Sequence, residues 1–256
     1  MPFGVQNAPS VFSRMMRKLL EPFTDMPIYN FMDDLLVATE SWQEHMELLG
    51  AVMKRLQEAG LTARPSKCQL GFSTMDYLGH TLKRGNLAPD AAKIEQLKDA
   101  PQPTTKTEVR SFLGFAGYYR RHVPGFSTIA LPLTDLTKKS APNKVEWTDE
   151  CEIAFQRLKR ALTAESILKL PDLERDFVLR TNASEAGLGA VFLQEHDGVL
   201  HPVAYGSRKL NSAERNYTVT EKECLAVIFG ISKFERYLYG RRFTLQVDHQ
   251  PLAYLR

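Results

Sequence analysis

The sequence predicts an α+β fold in which helix-rich and strand-rich segments follow one another along the chain. Helical patterns flank a pair of short strands around Asp33-Asp34, and a helical stretch interrupted by prolines occupies the middle. Three strands, a long helix and one further strand follow it. Segregation of helices and strands, without regular β-α-β alternation, is typical of the α+β class.

The first segment is predicted to hold two amphipathic helices on either side of the strand pair. Asn7 with Pro9 behind it is typical of a helix start. The apolar residues of this helix follow at helical spacing until Glu21-Pro22: Val11, Phe12, Met15 and Leu19. Ser41 and Glu44 have the spacing of a capping box and predict a second helix that ends at Gly60. Its apolar face is formed by Met46, Leu49, Val52, Met53 and Leu56.

The middle segment contains a helix with two glycines on one side. Thr105 and Glu108 form a second capping-box pattern at its start, before the apolar residues Val109, Phe112, Leu113 and Ala116. Gly114 and Gly117 leave the other side nearly bare at a cost of about 1 kcal/mol each. Either a packed helix or a nucleic-acid backbone must approach this side closely, and the adjacent Arg120-Arg121 pair favours nucleic acid.

The last segment reads as a sheet with one long helix. Its predicted strands cover residues 177–181, 187–193, 200–205 and 243–247, the first three forming an antiparallel meander. The helix is predicted from Thr220 to about Tyr239. Its apolar residues are Leu225, Ile228, Ile231 and Phe234.

Composition indicates an ordinary globular protein with a basic middle. Residues 81–160 carry 14 Lys or Arg against 9 Asp or Glu, an excess suited to gripping phosphates but also common on solvated surfaces. No apolar run is long enough for a membrane span, and Met1-Pro2 does not open a signal peptide. Three scattered cysteines argue against a disulfide framework or zinc site and predict a reducing, intracellular compartment, cytoplasmic or nuclear.

Asp33-Asp34 is the most informative dipeptide in the chain. Two adjacent carboxylates between strands repel each other, and a cation offsets that repulsion. A plain hairpin turn is the alternative, because Asp is common in turns.

Several motifs, in order, resemble those of gypsy-class LTR-retrotransposon Pol polyproteins. The segment Tyr29-Asn30-Phe31-Met32-Asp33-Asp34 resembles the metal-binding hairpin of reverse transcriptases, and Met1–Pro9 resembles the nucleotide-pocket segment that precedes it. Tyr77-Leu78-Gly79-His80 is similar to their primer grip, and Val109–Arg121 to their thumb. The three landmarks of the attached ribonuclease H domain are similar to Thr181–Ser184, Thr220–Glu223 and Val247–His249.

The resemblance implies three segments and two chemistries. It implies a partial polymerase palm at residues 1–86, a helical thumb or connection at 87–145 and an incomplete ribonuclease H-like α/β domain at 146–256. The family makes DNA on a template and hydrolyses the RNA of the hybrid, with Mg²⁺, or alternatively Mn²⁺, as cofactor. The implied partners are an RNA–DNA hybrid or primer–template duplex and, in the intact enzyme, a dNTP. No membrane partner is implied.

The resemblance also assigns roles to individual residues. Catalysis and metal binding fall to Asp33, Asp34, Glu223 and Asp248. Nucleotide binding falls to Pro2, Phe3 and Gly4, and the primer grip to Tyr77, Leu78 and Gly79. Contact with nucleic acid falls to Gly114, Gly117, Tyr118, Arg120 and Arg121.

The chain lacks one acidic residue of the family pattern, and two further acidic residues of that pattern are expected outside the given sequence. Asn182 stands where the first ribonuclease H acid is expected, and an amide is a poor ligand for two cations. The resemblance places a third polymerase Asp before residue 1 and a fourth ribonuclease H acid beyond residue 256, so the chain is expected to be truncated at both ends. Glu223, three residues after Thr220, also fits a capping-box glutamate. A catalytically inactive nucleic-acid-binding remnant, or a domesticated binding module, is therefore the alternative function.

Overall fold

The computed structural model describes residues 7–164 and 167–247. The chain divides into two compact units, residues 1–77 and 78–256. Both contain helices and strands, which confirms the predicted α+β fold. Among the described residues, no helix has the length and apolar character to cross a membrane.

The first unit has two helices on either side of an antiparallel hairpin, and a short strand after them. Its elements are α1 (Ala8–Leu20), β1 (Ile28–Phe31), β2 (Asp34–Val37), α2 (Trp42–Glu58) and β3 (Thr74–Tyr77). Ser41 caps α2 as predicted, because its Oγ accepts the Glu44 backbone N–H at 3.3 Å. The apolar side of α1 differs from the prediction, since Met16 and Leu19 are buried while Met15 is exposed.

A helical core occupies the first part of the second unit. Its helices are α3 (Ala91–Lys98), α4 (Lys106–Tyr118), α5 (Phe126–Ile129), α6 (Leu131–Asp135) and α7 (Asp149–Thr163). Fully buried Val109, Leu133 and Leu158 belong to this core, and large apolar side chains buried in this way stabilise it by about 1.5–3 kcal/mol each. The predicted capping box of Thr105 and Glu108 forms both of its hydrogen bonds at the start of α4, which typically contributes about 1 kcal/mol.

The second unit also contains two groups of paired strands. The smaller one joins β4 (His80–Lys83), β5 (Asn86–Pro89) and β6 (Leu168–Lys169). The larger sheet has the order β10-β7-β8-β9, with strands β7 (Phe177–Ala183), β8 (Gly187–His196), β9 (Val199–Lys209) and β10 (Phe243–Val247). Strands β7 to β9 form the predicted antiparallel meander, and β10 pairs in parallel with β7.

Helix α8 (Val219–Leu238) covers this sheet through small residues. A Cβ added to Gly230 would lie 2.9 Å from Cγ2 of Thr181, so the helix backbone lies very close to β7. Ile228 and Ile231, two of the four apolar residues of the predicted helix, are 63% and 39% exposed, whereas Phe234 is buried. Periodicity favoured bulky residues, whereas the close approach requires a small one at position 230.

The helical core also covers the edge strand β9. Helix α5 and the 3-10 turn Arg120–His122 pack on this strand. The Ser127 backbone N–H donates to Oγ of Ser207 at 2.9 Å, and Oγ of Ser127 donates to the Ser207 carbonyl at 2.9 Å. These bonds satisfy polar groups of a strand whose outer edge would otherwise be free.

Candidate nucleic-acid interface and metal sites

The aspartate pair lies at the tip of the β1–β2 hairpin. Phe31 pairs with Asp34, so the two-residue turn is Met32-Asp33 and Asp34 already belongs to β2. Met32 has a φ of 55°, and the Asn30 side-chain amide donates to its carbonyl at 2.9 Å, which stabilises the turn. Both carboxylates are exposed. The chain therefore forms a turn here and presents two hard oxygen ligands from it.

Tyr77, the first residue of the predicted primer grip, is affected by the charge of this hairpin. Burial raises the pKa of its hydroxyl, and the negative charge of Asp34 raises the pKa further. Tyr77 therefore remains a neutral hydrogen-bond donor near the carboxylates of the same unit.

The turn that follows Tyr77 is fixed by two tyrosines from α4 and its end. Leu78 and Gly79 have φ angles of 48° and 70°, a combination typical of a type I′ turn. The Tyr118 hydroxyl donates to the Leu78 carbonyl, and the Tyr119 hydroxyl donates to the Gly79 carbonyl at 2.7 Å. Burial raises the pKa of Tyr119 to about 12, with smaller contributions from Asp90 and Tyr118, so its hydroxyl stays a donor at neutral pH.

His80 lies among the aromatic rings beside this turn. Its ring centroid is 5.4–5.5 Å from those of Tyr118, Tyr119 and His122, and its Nδ1 lies 3.0 Å from the Leu78 carbonyl oxygen. Burial lowers the pKa of His80; the contact with the Leu78 carbonyl opposes this shift, and the positive charges of Lys93 and Arg121 add to it. A neutral His80 can donate from Nδ1 to this carbonyl at pH 7.

The glycine side of α4 is open. A Cβ added at Gly114 or Gly117 would have no neighbouring atom within 4 Å. In the described part of the chain no helix packs closely there, so no contact among these residues supports the helix-packing interpretation.

Several cations surround the end of α4. Arg120 and Arg121 lie exposed in the 3-10 turn after the helix. The amino group of Lys93 of α3 lies beside the turn Leu78-Gly79, 2.8 Å from where a Gly79 Cβ would lie. Lys233 of α8 lies near both arginines. Burial lowers the pKa of Lys233, and the positive charges of Arg120 and Arg121 lower it further. Sequence reasoning missed Lys93 and Lys233, because they are distant in the chain and carry no motif.

Glu223 of α8 contacts the end of β7 at Ala183, the residue after Asn182. The helix cap is Thr218, whose capping-box partner is Glu221, so Glu223 does not have the capping role that its distance from Thr220 suggested. Glu223 is 6% exposed, and its Oε1 accepts the Ala183 backbone N–H at 3.1 Å. Its Oε2 is buried without a hydrogen-bond partner among the described residues.

This unpaired oxygen fits a cation ligand, because a buried carboxylate oxygen is costly unless something compensates its charge. Exposed Asn182 lies next to Ala183 and offers only an uncharged amide. In residues 7–164 and 167–247, no group of three or more His, Cys, Asp or Glu side chains could hold a metal ion. Asp248 and the predicted nucleotide-pocket residues Pro2, Phe3 and Gly4 lie outside the described residues. Val247, the last described residue of β10, pairs with Thr181.

Two family models match separate parts of the chain. The model described as reverse transcriptase (RNA-dependent DNA polymerase) matches residues 1–82. The model of the RNase H-like domain found in reverse transcriptase matches residues 147–245. Its range includes α7, although α7 packs against α3 and α6 of the helical core. Both families generally depend on divalent metal ions.

Curated relatives are longer polyproteins. The chain is 37% identical over 255 residues to the retrovirus-related Pol polyprotein from transposon 297 of Drosophila melanogaster, covering 100% of the chain and 24% of that protein. It is 34% identical over 265 residues to the corresponding polyprotein from transposon gypsy of the same organism, covering 99% and 25%. The chain thus spans about a quarter of the length of these relatives.

Solved structures of similar fold contain nucleic acid. The foamy viral protease-reverse transcriptase in complex with dsDNA matches with a TM-score of 0.87 and 25% identity, covering 100% of this chain and 53% of that one. The same viral protein in complex with an RNA/DNA hybrid matches with a TM-score of 0.84 and 26% identity, covering 97% and 33%. With reverse transcriptase and RNase H-like segments in the predicted order, the chain is similar over its whole length to the Pol polyproteins of gypsy-class and related LTR retrotransposons.

Proposed function

We propose that this chain binds a nucleic-acid duplex as part of an RNA-directed DNA polymerase with an attached ribonuclease H. The open glycine side of α4 carries the proposal. A glycine within a helix costs about 1 kcal/mol, and no contact within the described chain explains Gly114 or Gly117 of α4. A duplex backbone could lie against this side, with Arg120 and Arg121 at its end to contact phosphates.

The duplex that best suits this surface is an RNA–DNA hybrid or a primer–template duplex. A helix with a smooth side suits a wide, shallow minor groove, which A-form helices have. The hydrogen bonds of Tyr118 and Tyr119 fix the turn Leu78-Gly79, our proposed primer grip, relative to this helix. The foamy viral structures that contain dsDNA and an RNA/DNA hybrid support this choice of ligand.

Two sites would hold Mg²⁺, or Mn²⁺ in its place. Asp33 and Asp34 would serve polymerisation, with Pro2, Phe3 and Gly4 near the incoming dNTP. Glu223 and Asp248 would serve hydrolysis. Bound divalent ions in such sites activate a hydroxyl or water and stabilise the leaving oxygen. The contribution of this chain is the placement of carboxylate oxygens, which are the ligands that Mg²⁺ prefers.

Asn182 favours a second candidate function, hybrid binding without cleavage. Its amide replaces a charged ligand next to Glu223, so the repulsion between two cations would be poorly offset. The polymerase assignment does not depend on this residue. The two candidates therefore differ in hydrolysis and share the duplex-binding surface.

The proposed segments are a palm at residues 1–86, a thumb or connection at 87–145 and a ribonuclease H-like segment at 146–256. The matched ranges 1–82 and 147–245 support this division. A reducing, intracellular compartment, cytoplasmic or nuclear, is proposed as well, since Cys68, Cys151 and Cys224 are free thiols.

The test is the salt dependence of hybrid binding. Fluorescence anisotropy would measure the affinity of the chain for a labelled RNA–DNA hybrid at several salt concentrations. Replacing Arg120 and Arg121 together with Ala should reduce the slope of log K against log salt by about one to two units. Arg157 and Arg160, exposed on α7, provide a matched double control that should leave the slope unchanged. An unchanged slope for the Arg120 and Arg121 variant would contradict the proposed interface.

A further inference from the structure

Three exposed cations of the second unit have no acidic partner among the described residues. Arg120 and Arg121 come from the 3-10 turn after α4, and Lys233 comes from the middle of α8. Although 112 positions separate Arg121 from Lys233 in the chain, the turn and the lysine both lie against β9. The turn packs on this strand, and Cγ of Lys233 lies 3.2 Å from where a Gly206 Cβ would be.

Neighbouring cations on the same strand are neutralised. Arg208 forms an ion pair with Glu214 at 2.7 Å, and Lys209 forms one with Asp135 at 3.6 Å. In the described part of the chain, by contrast, no ion pair involves Arg120, Arg121 or Lys233. Among the described residues, Arg208 and Lys209 of β9 thus have acidic partners, whereas the other three cations have none.

The three charges also affect one another. Burial lowers the pKa of Lys233 first, and the positive charges of Arg120 and Arg121 lower it further. Like charges held within reach of each other are unfavourable unless a counter-charge is bound. An extended anion with regularly spaced charges would satisfy all three at once.

We propose that Lys233 joins Arg120 and Arg121 in a single phosphate-binding cluster, which continues the duplex interface from α4 onto helix α8. The occupant is the sugar–phosphate backbone of the same duplex that contacts the glycine side of α4. This inference rests on the proposed function and adds a contact from the ribonuclease H-like segment. Gly206 has a specific part in it, because the absence of a side chain there lets the Lys233 stem lie flat on β9.

The experiment compares Lys233→Gln with wild type in the same anisotropy assay. Loss of one phosphate contact should reduce the slope of log K against log salt by about one unit. Between 50 and 200 mM salt, a fourfold change, the affinity of the variant should therefore fall by about fourfold less than that of wild type. Lys233→Arg keeps the charge and should keep the wild-type slope.

Lys98→Gln is the matched control, since Lys98 is exposed and paired with Glu95 at 2.7 Å, so its removal should leave the slope unchanged. Circular dichroism would establish that each variant is folded. A wild-type slope in Lys233→Gln would overturn the shared cluster. If the Arg120 and Arg121 double variant also kept the wild-type slope, the proposed duplex interface would fail as well. A reduced slope in the arginine variant alone would leave that interface standing without Lys233.

Discussion

The hydroxyl of Tyr119 donates to the carbonyl oxygen of Gly79 across 40 positions of the chain, at a distance of 2.7 Å. Tyr119 is 1% exposed, so water cannot easily replace this bond. Its neighbour Tyr118 donates to the Leu78 carbonyl but is 54% exposed. One buried and one exposed tyrosine thus hold adjacent carbonyls of the same turn, and their removal should have unequal effects.

Tyr119→Phe should destabilise the chain by about 1–2 kcal/mol, because it leaves a carbonyl oxygen without its buried donor. Tyr118→Phe should cost less than half of that, since water can reach the site and the Nδ1 of His80 also lies 3.0 Å from the Leu78 carbonyl. Urea unfolding followed by circular dichroism would measure both free energies. Equal losses in the two variants would contradict the difference in burial.

The same hydroxyl should give stability a pH dependence in the alkaline range. The pKa of Tyr119 is raised to about 12 in the folded chain, against an ordinary value of 10. The contribution of this shift to the free energy of unfolding is fully present below pH 10. It is lost as the pH rises through about 12, because between these values the unfolded chain releases the tyrosine proton while the folded chain retains it. The stability gap between wild type and Tyr119→Phe should therefore narrow between pH 10 and 12 in urea titrations. A constant gap over this range would show that the hydroxyl titrates normally.

Local patterns predicted most elements, because short-range physics determines them. The capping pair Thr105 and Glu108 marked the start of α4 correctly, and the spacing of the strand-like segments located β7 to β9. Long-range contacts could not be predicted in this way. The bonds from Tyr118 and Tyr119 to the turn Leu78-Gly79 join positions 40 residues apart, and no local pattern encodes them.

The errors at α8 have the same origin. Thr218 and Thr220 are both plausible caps two positions apart, and only the hydrogen bonds of Thr218 with Glu221 decide between them. That choice changes Glu223 from a capping candidate to a buried carboxylate beside β7. The proposed cluster of Lys233 with Arg120 and Arg121 could not be predicted from the sequence either, because it depends on how α8 and the 3-10 turn pack on β9.

Replacing Gly114 and Gly117 together with Ala should increase the stability of the chain and weaken its binding to the hybrid. Neither Cβ would meet an atom within 4 Å, so the double variant should be more stable by about 1–2 kcal/mol, from the higher helix propensity of Ala. It should nevertheless bind the RNA–DNA hybrid more weakly, because the added methyl groups would keep the sugar–phosphate backbone of the hybrid away from α4. Gly50→Ala in α2 is a matched control, since it too has open space and should gain stability without losing affinity. Unchanged hybrid affinity in the double variant would remove the glycine side from the interface.

Glu223→Gln should stabilise the chain in EDTA by about 1 kcal/mol. The amide keeps an acceptor for the Ala183 N–H and removes an uncompensated buried charge. Millimolar Mg²⁺ should raise the melting temperature of wild type more than that of this variant, because only the carboxylate binds the cation. Asn182→Asp should do the reverse, lowering stability in EDTA and strengthening the response to Mg²⁺. Identical responses of all three proteins to Mg²⁺ would contradict a cation site at Glu223.

Gly79→Ala should destabilise the chain more than Gly85→Ala does. Both glycines have a positive φ, 70° and 73°, so an alanine is strained at either position. A Cβ at position 79 would also lie 2.8 Å from Nζ of Lys93 and 3.3 Å from Cε1 of Tyr118, whereas position 85 has open space. The flexible lysine can move away, but Tyr118 is held by its bond to the Leu78 carbonyl, so the turn and α4 must separate slightly. Urea unfolding should therefore show a loss of about 1 kcal/mol for Gly85→Ala and a larger loss for Gly79→Ala.

Adding Tyr118→Phe, which releases the ring, should recover part of the additional loss at position 79 and none of the loss at position 85. If the recovery were the same at both positions, the tyrosine would not be what fixes the turn.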